Sequence, residues 1–300
     1  MINIQNIRKK VTRLFKSHDV ALVLSGGGAR GLAHIGAIES LEAHGFHITS
    51  IAGTSIGALV GGLYAAGKLH ELERILEVLT RKQILQLIDI SPGLGHIATG
   101  DKLMGLLHAM IGDLAIEDLP IPFCCPASDI VSGKQVVFRT GPLKDAIRAS
   151  ISIPGVFKPV EDGKKMFVDG SVHNVLPLDC VIRKKHDWLV SVNVSAPDNA
   201  LDTSFICNRR QPKNDFERRV WEKIPLFTAN FSVNYMHLLF RVGKISIENN
   251  TQTALRLTPP DISLEMPLEE FGLFDFDKSK ELIALGRQEM DTILEREKAL

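Results

Sequence analysis

The sequence predicts an α/β protein of three layers, α/β/α, with a mainly parallel central sheet. Three observations carry that expectation. Val20–Leu24 is a short apolar run leading through a glycine loop into a helix-like stretch, Gly31–Ala43. The same strand–loop–helix order repeats at once in Ile48–Ala52 and Ser55–Ala66. Two such units in succession pair their strands in parallel and lay helices across the sheet. The Val20–Leu24 run is unbroken rather than alternating, as in a strand buried on both faces. Finally, 300 residues at 45 % apolar content are enough for a sizeable core.

The chain ahead of the first strand has a different character. Arg8, Lys9, Lys10, Arg13 and Lys16 are all basic, with no acid before Asp19, and Ile4, Ile7, Val11 and Leu14 recur at helical spacing. Residues 1–18 therefore read as a basic amphipathic segment. It lacks the continuous apolar core of a signal peptide. Two roles stay open for it: a solvated first helix docked on the domain, or a foot on an anionic membrane surface.

Residues 43–67 carry no formal charge, and the small residues of GTSIGALVG invite a transmembrane reading. His44, His47, a Ser/Thr cluster and a helix stop at Gly45 fit a buried strand, a turn and a buried helix better. Gly67 closes the second helix. Helices are expected over His70–Ile88 and Asp101–Met110, and strands over Phe123–Ile130 and Gln135–Phe138 around the Ser132-Gly133 turn. A short helix, Pro142–Ser150, precedes a strand at Lys165–Val168 that ends on Asp169, and Trp188–Val194 is a further strand. Asp198–Asn214 is polar and reads as a loop. Phe216–Ile247 mixes aromatic and basic residues and suits a core helix, a pocket wall or a lid. Ala254–Leu257 is expected as an edge strand and Lys278–Ala299 as the closing helix. No repeat and no domain boundary stand out.

Whole-chain chemistry excludes several classes. Lys plus Arg equals Asp plus Glu at 35 each, so no global charge points to nucleic acid. The cysteines, Cys124, Cys125, Cys180 and Cys207, form no C-x-x-C pair and have no histidine at zinc spacing. They read as reduced thiols in a cytoplasmic protein, without a disulfide framework or structural metal.

The chemistry-bearing signal is Gly53-Thr54-Ser55-Ile56-Gly57, directly after a strand and before a helix. A nucleophile there sits on a sharp turn whose flanking positions must be tiny. The amide end of the following helix favours negative charge beside it. Gly26, Gly27 and Gly28 offer backbone N–H groups for an oxyanion. For the base, either Asp169 acts alone or Asp169 and His186 complete a triad. The triad fits poorly, because hydrolases of that type place the elbow after several strands, whereas Ser55 follows only the second. The spacing Gly26-x-Gly28-x-x-Gly31 is also that of a dinucleotide loop, but the acid expected about twenty residues later is missing. Arg30 suits either a substrate phosphate or its own loop. His34 reads as structural, His173 as a modulator of the base or a turn cap, and Cys124-Cys125 as packing.

Four ordered blocks, SGGGARGLAHIGAIESLEAHGF, IAGTSIGALVGGLYAAG, IRASISIPGVFKPV and FVDGSVHNVLP, resemble the patatin-like phospholipases over about Val20 to Val194, and FDFDKSKELIALG resembles their closing helix. The resemblance implies a patatin-like fold and one acyl hydrolase domain over 19–300, with its motifs in 20–194 and a helical part in 215–300. It implies Ser55 as nucleophile, Asp169 as general base and acid of a Ser–Asp dyad, and Gly26, Gly27 and Gly28 as the oxyanion hole. Arg30, Gly31, Gly53, Gly57 and Gly170 are the supporting motif positions, and no metal or cofactor is required. Ser171 departs from the Gly or Ala that most relatives carry after Asp-Gly. The implied activity is release of fatty acid from phospholipid, lysophospholipid or related esters, with peripheral membrane contact through residues 1–17. The alternative is a lipid- or protein-binding regulator with little turnover.

Overall fold

The computed structural model describes residues 18–78, 81–87, 98–197, 233–268 and 270–299. The amphipathic segment 1–17, the polar loop 198–214, residues 216–232 and Cys207 lie outside the described residues. Eight strands, β1 (Asp19–Leu24), β2 (His47–Gly53), β3 (Phe123–Asp129), β4 (Lys134–Phe138), β5 (Val160–Asp162), β6 (Lys165–Asp169), β7 (Trp188–Asn193) and β8 (Ile262–Glu265), form one sheet. Its order is β5-β6-β3-β2-β1-β7-β8, with β4 also on β3. β3, β2, β1, β7 and β8 run parallel, while β4, β5 and β6 join antiparallel.

Among the described residues eight helices flank it: α1 (Ala33–Ala43), α2 (Ile56–Ala65), α3 (Leu69–Val78), α4 (Arg81–Leu87), α5 (Asp101–Ile111), α6 (Leu143–Ser150), α7 (Val233–Leu257) and α8 (Ser279–Ala299). The alternation along β1 defines the layers. Val20, Leu22 and Leu24 pack with residues of α1, α2, α6 and α8, including Ile35, Leu63, Ile147 and Met290. Ala21 and Val23 face the other way, onto Val175, Leu176 and Leu178 and onto Ile247 and Ala254 of α7. Each fully buried Leu or Ile in these layers stabilises the fold by about 1.5–3 kcal/mol. The three-layer α/β/α expectation is met.

The register positions the site. Leu24 at the end of β1 pairs with Gly53 at the end of β2 and with Val192 near the end of β7. The loops after these strands therefore emerge side by side at the carboxyl edge of the parallel strands, where open α/β sheets bind ligands.

Local expectations differ from the structure in a few places. The helix expected over His70–Ile88 is two helices, α3 and α4. The glycine loop enters α1 through a 3-10 turn, Gly28–Leu32. Ala254–Leu257 is the last turn of α7 and not an edge strand. The edge is β8, which starts after Pro259-Pro260 forces the chain out of helix. Residues 43–67 resolve into β2 and α2, and among the described residues no helix is long and apolar enough to cross a membrane.

Candidate active site

Ser55 sits between the end of β2 and the start of α2 with φ 55° and ψ −121°. Among the described residues it is the one non-glycine residue with positive φ. Such a conformation costs on the order of 1–3 kcal/mol and persists only when its surroundings fix it. They do: the Thr54 N–H donates to the Leu24 carbonyl at 3.0 Å, and the Ser55 N–H donates to Ser150 Oγ at 3.0 Å. The Thr54 hydroxyl donates to the Asn174 carbonyl at 2.8 Å. Gly53 and Gly57 are glycine because of space. A Cβ on Gly53 would strike the Gly57 carbonyl, and one on Gly57 would lie 2.5 Å from the Leu24 carbonyl oxygen.

Asp169 arrives from the antiparallel part of the sheet, at the end of β6, opposite Ala127 of β3. Its N–H donates to the Ser152 carbonyl at 2.9 Å, and its own carbonyl accepts from Ser128 Oγ at 3.0 Å. The Ser55 hydroxyl donates to Asp169 Oδ2 at 2.6 Å, and the Ser171 N–H donates to Oδ1 at 2.8 Å. Both partners are enclosed, Ser55 at 4 % exposure and Asp169 at 3 %. Burial pushes the Asp169 carboxyl above the ordinary carboxylate range, while the hydrogen bonds from Ser55 and Ser171 pull it back down. Raising the pKa makes the carboxylate a stronger proton acceptor than a free one. A side chain on Gly170 would run into the Pro126 carbonyl.

The glycine loop lies against this pair: a Cβ on Gly26 would sit 3.4 Å from Ser55 Cβ and would collide with Ser171 Oγ. The larger residue after Asp-Gly thus occupies space that Gly26 leaves. One expectation is corrected here. The Gly26 N–H is committed to the Val175 carbonyl at 2.9 Å, so it is not an open donor. The N–H groups of Gly27 and Gly28 meet no acceptor among the described residues. Gly28 has φ 61°, and a Cβ there would lie 2.6 Å from the Leu273 carbonyl oxygen. A side chain on Gly31 would strike Ile56, so this glycine lets the loop helix pack on the elbow helix.

With the Ser55–Asp169 pair and the glycine loop described, comparison with known proteins decides the family. A family model for the patatin-like phospholipases matches residues 22–182. The chain belongs to the patatin-like phospholipase family. The matched span includes the elbow, the glycine loop and Asp169 of this patatin-like chain. Its relatives include uncharacterised NTE family proteins of Mycobacterium tuberculosis and Mycobacterium bovis, 42 % identical over 179 residues, which are 60 % of this chain and 50 % of theirs. Lysophospholipase NTE1 of Saccharomyces cerevisiae is 27 % identical over 295 residues, covering 92 % of this chain and 16 % of the yeast protein. The patatin-like chain thus spans half the length of the mycobacterial relatives it matches. Among solved structures, VipD from Legionella pneumophila aligns at a TM-score of 0.39 and 12 % identity, over 81 % of this chain and 67 % of VipD.

Neither His186 nor His173 of the patatin-like chain is hydrogen-bonded to Asp169. His186 is exposed just before β7. Trp188, two residues later, pairs with Val20 at the far end of β1, about 15 Å of strand from the elbow. The Asp169–His186 triad is thereby excluded. His173 Nε2 lies 3.2 Å from the Gly133 carbonyl, holding the β3–β4 turn. Arg30 braces its own loop, donating from Nε to the Gly27 carbonyl at 3.1 Å. Cys124 Sγ donates to the Cys180 carbonyl at 3.2 Å, and burial pushes the Cys124 thiol up to about 11, the state of an inert, packed cysteine. Among the described residues no group of three or more His, Cys, Asp or Glu forms a metal site.

Residue-by-residue reading of the sequence missed Ser150, Ser152 and Val175. The first two stand in the block IRASISIPG, which Arg148 anchors by donating to Ser152 Oγ at 2.6 Å and to the Thr99 and Lys158 carbonyls. Nothing in their identity marks them as supports for Ser55 and Asp169. Their position in the block is the one available signal.

Proposed function

We propose that this chain hydrolyses acyl esters of phospholipids, lysophospholipids or related lipids through a Ser55–Asp169 dyad. The observation that carries the reading is the 2.6 Å hydrogen bond from a hydroxyl on a strained turn to a buried carboxylate with no histidine between them. In the first half-reaction, Ser55 Oγ attacks the acyl carbonyl as its proton passes to Asp169 Oδ2. The Gly27 and Gly28 N–H groups stabilise the oxyanion, aided by the amide end of α2. Asp169 returns the proton to the departing alkoxide, leaving an acyl-serine. Water then gives a proton to Asp169 and attacks the acyl carbon, and the proton returns to Ser55 as the fatty acid leaves.

A lipid substrate suits the surroundings. Leu273, beside Gly28, and Val172, beside Ser171, are large apolar side chains left 42 % and 44 % exposed next to the dyad loops. We assign residues 1–17 as a basic foot on an anionic membrane from the cytoplasmic side. Their deletion is expected to weaken binding to phosphatidylserine-containing vesicles and spare turnover of a soluble ester. Unchanged vesicle binding contradicts the foot.

The test of the reaction is labelling by a fluorophosphonate together with ester turnover, in wild type and Ser55→Ala. The dyad predicts labelling and turnover in wild type and neither in the variant. Labelling that persists in Ser55→Ala removes Ser55 from the mechanism. Labelling confined to wild type without turnover of any lipid ester moves the chain to the regulatory alternative.

A further inference from the structure

The glycine loop is held from behind at each carbonyl from Leu24 to Gly27. The Leu24 carbonyl accepts from the Thr54 N–H, and the Gly27 carbonyl accepts from Arg30 Nε. The Gly26 carbonyl accepts from Ser25 Oγ at 3.0 Å and from Ser195 Oγ at 2.8 Å. The Ser25 carbonyl, at the hinge between β1 and the loop, lies 2.9 Å from His34 Nε2. A peptide carbonyl only accepts, so Nε2 must carry the proton, and Nδ1 is then a bare acceptor. His34 is fully buried in the first turn of α1, and its Nδ1 has no hydrogen-bond partner among the described residues.

That orphan separates two explanations of the residue. If His34 only filled space in α1, an apolar side chain would do so without burying an unpaired acceptor. What the imidazole adds over a leucine is the single N–H that reaches Ser25. Burial holds His34 down to about 4, so the ring stays neutral and keeps one tautomer through the neutral range. The Ser25–Gly26 peptide is the lever on the two glycines after it. Turning its carbonyl away from His34 would rotate the Gly26 N–H off Val175, and with it the orientation of the Gly27 and Gly28 amides.

We propose that His34 is a positioning residue for the oxyanion loop, fixing the Ser25 carbonyl so that the Gly27 and Gly28 N–H groups stay aimed at the reacting centre. This rests on the Ser55–Asp169 reading of the function. Amides that matter mainly in the transition state affect kcat rather than KM. Loss of one such donor outright costs about a hundredfold to a thousandfold, so a loosened pair should cost roughly tenfold to a hundredfold.

The experiment measures kcat and KM on a soluble short-chain ester, per active site counted by exhaustive fluorophosphonate labelling. The variants are His34→Leu, His34→Gln and His34→Asn. Expected are a kcat per site lowered roughly tenfold to a hundredfold in His34→Leu with KM within about twofold, and recovery of most of the loss in His34→Gln, whose amide reaches the same carbonyl. Wild-type kcat per site in His34→Leu overturns the proposal, as does a His34→Gln no better than His34→Leu. Should His34→Leu fail to fold, the other pair decides. The shorter His34→Asn must fall at least about tenfold below His34→Gln, and equal values overturn the proposal. Failure of the dyad reading shows separately, as labelling that survives Ser55→Ala.

Discussion

The two halves of the sheet bring different things to the site, and they do so over different distances along the chain. The parallel half supplies the proposed nucleophile and oxyanion amides from two adjacent strand ends, with Leu24 and Gly53 paired in register. The elbow and the glycine loop also support each other directly, through the Thr54 N–H on the Leu24 carbonyl and Gly57 packed under the Ser25 carbonyl. The antiparallel half supplies one side chain, Asp169, to a partner 114 residues away. The Ser171 N–H orients that carboxylate locally, but its approach to Ser55 is set by distant parts of the chain. Its place depends on β6 pairing with β3 and on Ser152 holding its N–H. One half carries strained backbone, and the other carries a desolvated charge.

That contrast separates two kinds of damage. Asp169→Asn keeps the shape of the antiparallel half and removes the base. We expect kcat on a soluble ester to fall about a thousandfold. Stability at neutral pH should be equal or higher, because a buried carboxylate with a raised pKa opposes folding once it must be ionised. Esterase assays and urea titration of the same sample check both halves of the statement. A variant that loses stability along with rate would mean that Asp169 holds the sheet together rather than serving the serine.

Gly57→Ala attacks the other half. Its Cβ would meet the Leu24 and Ser25 carbonyl oxygens at 2.5 and 2.7 Å, both of them backbone atoms that cannot swing away. A loss of roughly 3 kcal/mol in stability, read from urea titration, is expected, with fluorophosphonate labelling falling in parallel. Unchanged stability would show that the junction of loop and elbow is softer than its packing implies.

A smaller effect appears in the pH dependence of stability. His34 has its pKa lowered from 6.5 to about 4 by burial, so between those values the unfolded chain holds a proton that the folded one does not. Stability is therefore complete above about pH 6.5 and declines as pH falls toward 4, by up to about 3 kcal/mol. His34→Gln should flatten that part of the profile, read as urea midpoints across the interval. An unchanged slope would assign the acid sensitivity elsewhere.

The smallest effect is at Ser55 itself. Ser55→Gly relieves the positive φ and should stabilise the fold by about 1 kcal/mol while abolishing turnover. Thermal unfolding against wild type measures it, and a destabilised variant would show that the serine is not strained.

The same contrast explains what was legible in the sequence. The part of the parallel half that bears Ser55 could be read directly, because β1, the glycine loop, its helix, β2, the elbow and α2 come one after another, and Gly31, Gly53 and Gly57 make room for neighbours within that stretch. Asp169 was legible as the end of an apolar strand before a glycine and as a candidate base for Ser55, but the choice of a dyad without histidine was carried by the family resemblance. The fate of the Gly26 amide was not legible, since it depends on Val175 crossing behind β1. The same holds for the bond from His34 to Ser25, where a histidine between apolar helix positions reads as core. Ala254–Leu257 misled because its apolar character suits a helix face and a strand equally, and the Pro259-Pro260 pair just beyond was the better marker of where the edge strand begins.

In the proposed reaction the Ser55 hydroxyl attacks because a lone buried carboxylate takes its proton. Peptide mapping of the fluorophosphonate adduct, with its rate of formation compared between wild type and Asp169→Asn, tests it most directly. An adduct on Ser55 that forms about a thousand times more slowly in the variant is expected. An adduct on another residue, or equal rates in the two proteins, would contradict it.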